Sequence, residues 1–319
     1  MDEKNKDLIN EVIPADEFDW VGQDIKGMEQ IGRPSTSYWK DAMGRLRKSK
    51  TAMLLVGILL IITIGSIFVP MFSRFGYQDM CPTELNKGLF FNSGTHMHIF
   101  GTDGLGRDTF TRVWYGGRIS LTIAVTAVAI NCVVGIIYGG ISGYFGGMLD
   151  NIMMRFVEIL NGIPYLLIII LLSMVMPKGI VTIIVAYSSV GWIGMARLVR
   201  GQIISLKEQE FVVAAKTMGA SATRIISKHL IPNLLSIIII NLTLSIPNAI
   251  FTEAWLSFIG LGVPVPQASW GTLASDASNV FRYFPNQLVV PGIFISITML
   301  SFNLLGDKLR DAFDPKLRR

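Results

Sequence analysis

Charge is scarce in this sequence. Only 16% of its 319 residues are Asp, Glu, Lys or Arg, 51% are hydrophobic, and mean hydropathy is +0.50. Soluble domains carry about 25% charged residues, so the balance points to a bilayer protein rather than an ordinary soluble enzyme. Cysteine is nearly absent: Cys81 and Cys132 are the only two. One lies in a polar loop and the other in an apolar run, so neither a disulfide framework nor a bridge between them is expected. Catalytic signatures are missing too. No Gly-x-x-x-x-Gly-Lys-Ser/Thr loop offers a nucleotide site, no His-Glu-x-x-His offers a zinc hydrolase, and no Gly-x-Ser-x-Gly offers a nucleophile elbow. The apolar runs lack the midspan carboxylates of a proton-driven carrier, with Glu253 the main exception. The polar, mixed-charge first fifty residues and the length of the first apolar block speak against a cleaved signal and for an uncleaved anchor.

What the sequence does have is long apolar blocks. Six approach the roughly 20 residues that cross about 30 Å of hydrocarbon: 51–72, 119–141, 152–176, 180–196, 233–252 and 287–305. None alternates as a barrel strand does, so the expected fold is all-α, with six transmembrane helices. The net charge of +5 comes from clusters at the block borders. Lys40, Arg45, Arg47, Lys48 and Lys50 precede the first block, Arg197 to Lys228 separate the fourth and fifth, and Lys308 to Arg319 follow the sixth. Six spans put these clusters on one side, and the positive-inside rule makes it cytoplasmic, with both termini there and 73–118 and 253–286 outside. Arg107, Arg112 and Arg118 run against that rule locally. The expected organisation is a cytoplasmic segment 1–50, a first helix and outer loop 51–118, a five-helix core 119–305 with a cytoplasmic loop 197–232, and a tail 306–319. Residues 1–36 read as a loosely ordered lead-in. Over 38–50, Trp39, Met43 and Leu46 recur at helical spacing among basic residues, which suits an interfacial helix and equally a plain stop of positive charge.

Several local features have competing readings. Gly135, Gly139, Gly143 and Gly147 stand four apart. Gly135 and Gly139 are expected to pack helix against helix, and Gly143 and Gly147 to belong to a turn. Pro164 is expected to kink the third span. Arg155 and Glu158 are spaced to pair, and with Asp150 they read as interface anchors. His96 and His98 are metal-ligand types, but with no third ligand nearby the sequence assigns no metal, and a solvated loop is the reading. Asp103, Arg107 and Asp108 read as a structural ion cluster.

The loop 197–232 is the richest segment. Glu210 to Met218 favours helix, Gly219 permits a left-handed cap, and Ser221 can cap a second helix running to Pro232. A helix–Gly–helix with Ala214 and Ala215 for close approach suits a groove on a soluble partner; an amphipathic loop lying on the membrane is the plainer alternative. The element Val213-Ala-Ala-Lys-Thr-Met-Gly219, followed by Ala220, Ser221 and a closing His229-Leu-Ile-Pro232, resembles the cytoplasmic element of bacterial ABC importer permeases. That family reads Glu-Ala-Ala-three residues-Gly, then Ile-x-Leu-Pro, so Val213 replaces its acidic residue and His229 its isoleucine; Glu210 is nearby but not aligned. Phe100-Gly-Thr-Asp-Gly-Leu-Gly-Arg-Asp108, Gly143-Tyr-Phe-Gly-Gly147, Met154-Arg155, Ala196-Arg-Leu-Val-Arg-Gly-Gln202, Leu256-Ser-Phe-Ile-Gly-Leu-Gly262, Ser269-Trp-Gly271 and Asn303–Arg318 are similar to the oligopeptide/dipeptide C-type branch.

The resemblance spans about 38–319 and implies a type I importer permease fold. It implies a non-catalytic subunit that forms half of a path for oligopeptides or dipeptides. Its partners would be a homologous second permease, two cytoplasmic ATPases that hold the ATP and Mg, and an extracytoplasmic binding protein, with no cofactor on this chain and no nucleic acid. Around Val213–Ser221 it implies a coupling helix. Nickel or another small solute is the alternative cargo, and a self-sufficient channel or carrier is the rival class. Substrate-contacting residues are not assigned.

Overall fold

The computed structural model describes residues 38–94 and 96–314. The lead-in 1–36 and the last basic residues of the tail lie outside them. The chain divides into two units, 1–41 and 42–319, and every membrane helix lies in the second. Helix α1 (Tyr38–Lys48) takes up the basic stretch before the first span, with Met43 exposed and Ala42 buried.

Among the described residues, five helices are long and apolar enough to cross a membrane, or six if a bent pair is counted as one span. The first, α2 (Lys50–Phe72), starts where the Ser49 side chain accepts the Ala52 N–H. The second, α3 (Thr109–Phe145), is capped by Asp108, whose Oδ2 accepts the Thr111 N–H at 2.7 Å. At about 1.5 Å per residue its 37 residues exceed the hydrocarbon thickness. It therefore begins ten residues earlier than the apolar block did, inside what reads in sequence as outer loop. Between α2 and α3 the loop carries a short antiparallel hairpin, β1 (Phe91–Asn92) and β2 (Met97–His98).

The third span is where sequence and structure part most. It is not one kinked helix. Helix α4 (Gly147–Asn161) ends, and α5 (Tyr165–Val175) leaves at 77° to it. Pro164 stands at the N-cap of α5, outside the helical region at φ −53° and ψ 120°. Gly162-Ile163-Pro164 thus breaks the span, because proline has no N–H to continue the ladder and its predecessor is pushed out of the helical region.

Helices α6 (Ile180–Gly191) and α7 (Ile193–Leu206) together make the fourth span, Ile180–Leu206, which outruns the apolar block by ten residues. After the short α8 (Glu210–Thr217), α9 (Ala222–Ile225), a π-turn (Ile226–Leu230) and α10 (Ile231–Phe258) form a 37-residue fifth span. Pro232 therefore does not close the loop, as its position before an apolar run suggests. It sits in the first turn of α10, and the widened turn beneath it, where Ile231 N–H bonds to Ile226 O, accommodates a ring that cannot donate. Helix α11 (Trp270–Ser278) opens with a capping box on Ser269 and Thr272, and α12 (Pro285–Phe313) is the last span.

The glycines of α3 decide how the bundle packs. A Cβ on Gly135 would lie 2.5 Å from Met195 Cβ, and one on Gly139 2.3 Å from the Ala196 carbonyl oxygen. On Gly143, read from the sequence as part of a turn, it would lie 2.9 Å from Arg200 O. The small-residue face therefore runs one turn further than expected and is filled by α7 of the same chain. Gly147, with φ +58° and open space around it, belongs to the turn. Where the stripe ends, Arg200 donates from Nε and Nη2 to both oxygens of Asp150, at 2.5 and 2.6 Å. Ser142 bonds to the same carboxylate. Asp150 is thus a tie between α3, α4 and α7 rather than an interface anchor. Arg155 and Glu158 do pair, at 3.0 Å, on the exposed surface.

Gly139→Val should destabilise the purified chain by about 3 kcal/mol or more, because no side chain can yield to a methyl pressed on backbone. Gly140→Ala, next to it, meets only ordinary contacts at 3.6 Å or more and should leave the melting temperature in detergent unchanged. Equal effects at both sites would refute this packing.

Candidate functional site

Helix α8 projects between α7 and α9 and shows two contrasting faces. Val212 and Ala215 are buried in a cluster with Val199 and Ile203 of α7 and Ile225, Leu230 and Leu234 of the fifth span. The outer face carries Glu210, Val213, Ala214, Thr217 and Met218, with Phe211 beside it, and all of these are exposed. Met218 is 82% and Val213 52% exposed. Together with Glu208, this outer face lines a shallow depression of about 490 Å³. The Ala214–Ala215 pair is therefore split. Ala214 leaves room on the outer surface, whereas Ala215 is small because it packs inward.

The turn after α8 is a Schellman cap. Gly219 N–H bonds to Lys216 O and Ala220 N–H to Ala215 O, both at 3.0 Å, with Gly219 at φ +81°. Open space surrounds Gly219, so its requirement is conformational, not steric. Ser221 then caps the next helix by accepting the Arg224 N–H at 3.4 Å. Glu210 sits in the first turn of α8, where its charge suits the helix dipole. Pro232 lies away from this tip, in α10.

A second surface opens at the break in the third span. Leu160, Tyr165, Tyr187, Asn248, Phe251 and Trp255 are among the residues that line a cavity of about 690 Å³. A larger cavity of about 1060 Å³ lies along α4, and the two share Arg197. Asn248 is exposed near the middle of the apolar span α10. A polar amide in that position is costly toward lipid and normally faces protein or water. Hydropathy alone could not place it, since the break that exposes this wall is invisible to a sliding window.

Glu253 belongs to neither surface. It is fully buried, and its two oxygens accept from Ser120 Oγ at 2.8 Å and Ser257 Oγ at 2.7 Å. Ser120 Oγ also accepts the Trp270 N–H at 3.2 Å. This carboxylate joins α3, α10 and α11. Nearby, Arg107 Nε donates to Asp103 Oδ2 at 2.7 Å.

In the loop before α3, His96 and His98 are not simply solvated. Glu84, twelve and fourteen residues upstream, brings Oε2 to 3.2 Å from His96 Nε2 and 2.9 Å from His98 Nε2. Burial works against the charge on Glu84, but the hydrogen bonds from His98 and His96 outweigh it and hold its carboxyl below the usual range. Asp108, read from sequence as a member of an ion cluster with Asp103 and Arg107, turns instead to His98 Nδ1 at 2.7 Å.

Residues 133–319 match the family of binding-protein-dependent transport system inner membrane components, and residues 37–88 match the N-terminal TM domain of oligopeptide transport permease C. The oligopeptide transport system permease protein OppC of Bacillus subtilis (strain 168) is 48% identical over 96% of this chain and 99% of its own. The dipeptide transport system permease protein DppC of the same organism is 46% identical over 100% of this chain and 98% of its own. OppC of Escherichia coli (strain K12) is 41% identical over 91% of this chain and 95% of its own. A family match over more than half of the chain, joined to relatives aligned almost end to end, makes this chain a member of the binding-protein-dependent transport system inner membrane components, a multi-pass permease of the oligopeptide/dipeptide permease C family.

Proposed function

We propose that the chain is one half of the path of an ATP-driven peptide importer, with α8 as its coupling helix. The observation that carries this is the construction of α8. It is packed rigidly onto α7 and the fifth span by Val212 and Ala215, capped by Gly219, and left with an exposed outer face of Val213, Ala214, Thr217 and Met218 bordered by Glu208 and Glu210. A helix so held cannot move without moving the spans beneath it, which is what a transmitter of force between a soluble motor and a membrane wall requires. The relatives named for oligopeptide and dipeptide transport support peptide as cargo.

In this reading the basic borders and α8 face the cytoplasm, and two ATPases carry the ATP and Mg. The chain itself performs no chemistry. A homologous permease closes the other side of the path, and an extracytoplasmic binding protein delivers peptide. The broken third span and Asn248 face that path. A polar amide among Tyr165, Tyr187, Phe251 and Trp255 provides a sequence-tolerant surface, hydrogen-bonding to peptide backbone while the aromatics accept varied side chains.

Three measurements test this. In the assembled transporter, Gly219→Ala should cost about 1 kcal/mol in the left-handed turn, a factor of ~5 in its population, and slow peptide uptake accordingly. Gly219→Pro, which also removes the N–H bonded to Lys216 O, should abolish uptake. Both variants should insert in the membrane and bind the partner permease; normal uptake by Gly219→Pro would sink the coupling role. Ala214→Trp should release the ATPases on co-purification, whereas retention of both at wild-type yield would contradict docking on this face. Asn248→Trp should block uptake with ATPase binding intact, and unimpaired transport would remove this wall from the path. Separately, the isolated chain should show no ATP turnover, and sustained hydrolysis without partner subunits would overturn its non-catalytic role.

A further inference from the structure

The loop between α2 and α3 carries a cluster that the transport reading does not use. His96 directly precedes β2 and His98 is its second residue, and their rings meet edge to face with centroids 5.2 Å apart. The preceding loop carries Glu84 to meet them. The donor atoms of Glu84, His96 and His98 lie within 4.8 Å of one another. A tetrahedral ion with bonds of about 2.0–2.1 Å holds its donors about 3.3 Å apart. The observed separations of 3.2 Å and 2.9 Å are within about half an ångström of that spacing.

The surroundings select the donor atoms. His98 is completely buried, and its Nδ1 sits 2.7 Å from Asp108 Oδ1. Asp108 is itself fixed, because its other oxygen accepts from the Thr111 N–H and hydroxyl, both at 2.7 Å. A carboxylate so placed accepts the Nδ1–H hydrogen bond and favours the tautomer whose Nε2 points to Glu84. This is the arrangement that orients histidine ligands in metal sites. Nε2 faces Glu84 Oε2 at 2.9 Å, a separation that a shared proton or a bound metal ion can bridge. The Phe75 ring packs on both imidazoles, 4.5 Å from His98 and 5.1 Å from His96, and covers one side. His96 and Glu84 remain partly open to solvent, which gives an ion a way in.

We propose that Glu84, His96 and His98 form a binding site for a divalent transition-metal ion of the zinc class, with Asp108 as the orienting carboxylate of His98. Two imidazoles and one carboxylate disfavour magnesium and calcium, which take oxygen ligands, and suit zinc or cobalt. A water fills the fourth position. Because Asp108 also caps α3, the ion ties the loop and hairpin to the first turn of a membrane helix. The site stands independently of the peptide-transport reading.

The test uses the full chain, purified in detergent with a tag free of histidine, stripped by chelator and titrated with Co²⁺ and then Zn²⁺. One equivalent of Co²⁺ should bind with visible d–d bands that Zn²⁺ abolishes, and either ion should raise the melting temperature. His96→Ala and Glu84→Gln should each weaken binding by at least roughly tenfold. Glu84→Gln retains an oxygen and the side chain's shape, so loss of metal there is not loss of fold. His229→Ala, in the π-turn of the fifth span, should bind as wild type does. Absence of saturable binding to the wild-type chain would overturn the proposal and leave a purely hydrogen-bonded cluster. Binding that survives both His96→Ala and Glu84→Gln would overturn it equally, by placing the ion elsewhere.

Discussion

The close approach of α3 to α7 is the contact on which the rest of the structure depends. In lipid no hydrophobic drive pulls one apolar helix onto another, so packing must come from shape. Gly135, Gly139 and Gly143 supply it by letting the backbone of α7 lie directly on α3. That contact places Arg200 against Asp150 and so positions α4. It also places Ile203 under Val212 and Ala215, which seats α8. One glycine face thus fixes both the broken span that opens a lateral wall and the helix that projects beyond the bundle.

Rigidity on one side makes the exposed surfaces meaningful. The fifth span begins at the α8 tip, passes through a π-turn and reaches Asn248 without interruption. In the proposed role a push on α8 would therefore reach the wall at Asn248 through one helix, while the α3–α7 contact keeps the neighbouring span in step. The π-turn and Pro247 are the irregular places along this route. Turns of the π type often mark functional positions, and here the π-turn also solves the local problem posed by Pro232.

Much of this was legible in the sequence, and the failures share one cause. Apolar blocks found the spans because a bilayer demands length. They misjudged the ends, since α3, α7 and the fifth span run on as helix beyond the apolar core, where capping by Asp108 and Ser221 sets the limits rather than hydropathy. Local backbone chemistry read well: Gly219 and Ser221 announced a turn and a cap that need only neighbouring residues. Relations between distant residues did not. The break at Pro164 depends on Gly162 and Ile163 together, and Ala214 and Ala215 look identical until α7 lies beneath one of them. Asp150 looked like an anchor because its partner, Arg200, is fifty residues away. Glu84 was invisible beside two histidines for the same reason, since only the hairpin fold brings it near.

Val213 bears on what α8 can bind. The family pattern has a glutamate at this place, and a carboxylate would steer and orient a partner through charge. Here an exposed valine lies beside Met218, with Phe211 at the same tip. Charge remains only at the margins, in Glu208 and Glu210 on one side and Lys216 on the other. Apolar contact without a central charge gives little long-range steering, so in the proposed coupling role recognition of this helix would come from the fit of a groove to Ala214 and its neighbours. That places a stricter demand on shape. In that role a helix recognised through shape must itself be held in one shape, which is what the two inward residues and the Gly219 cap provide.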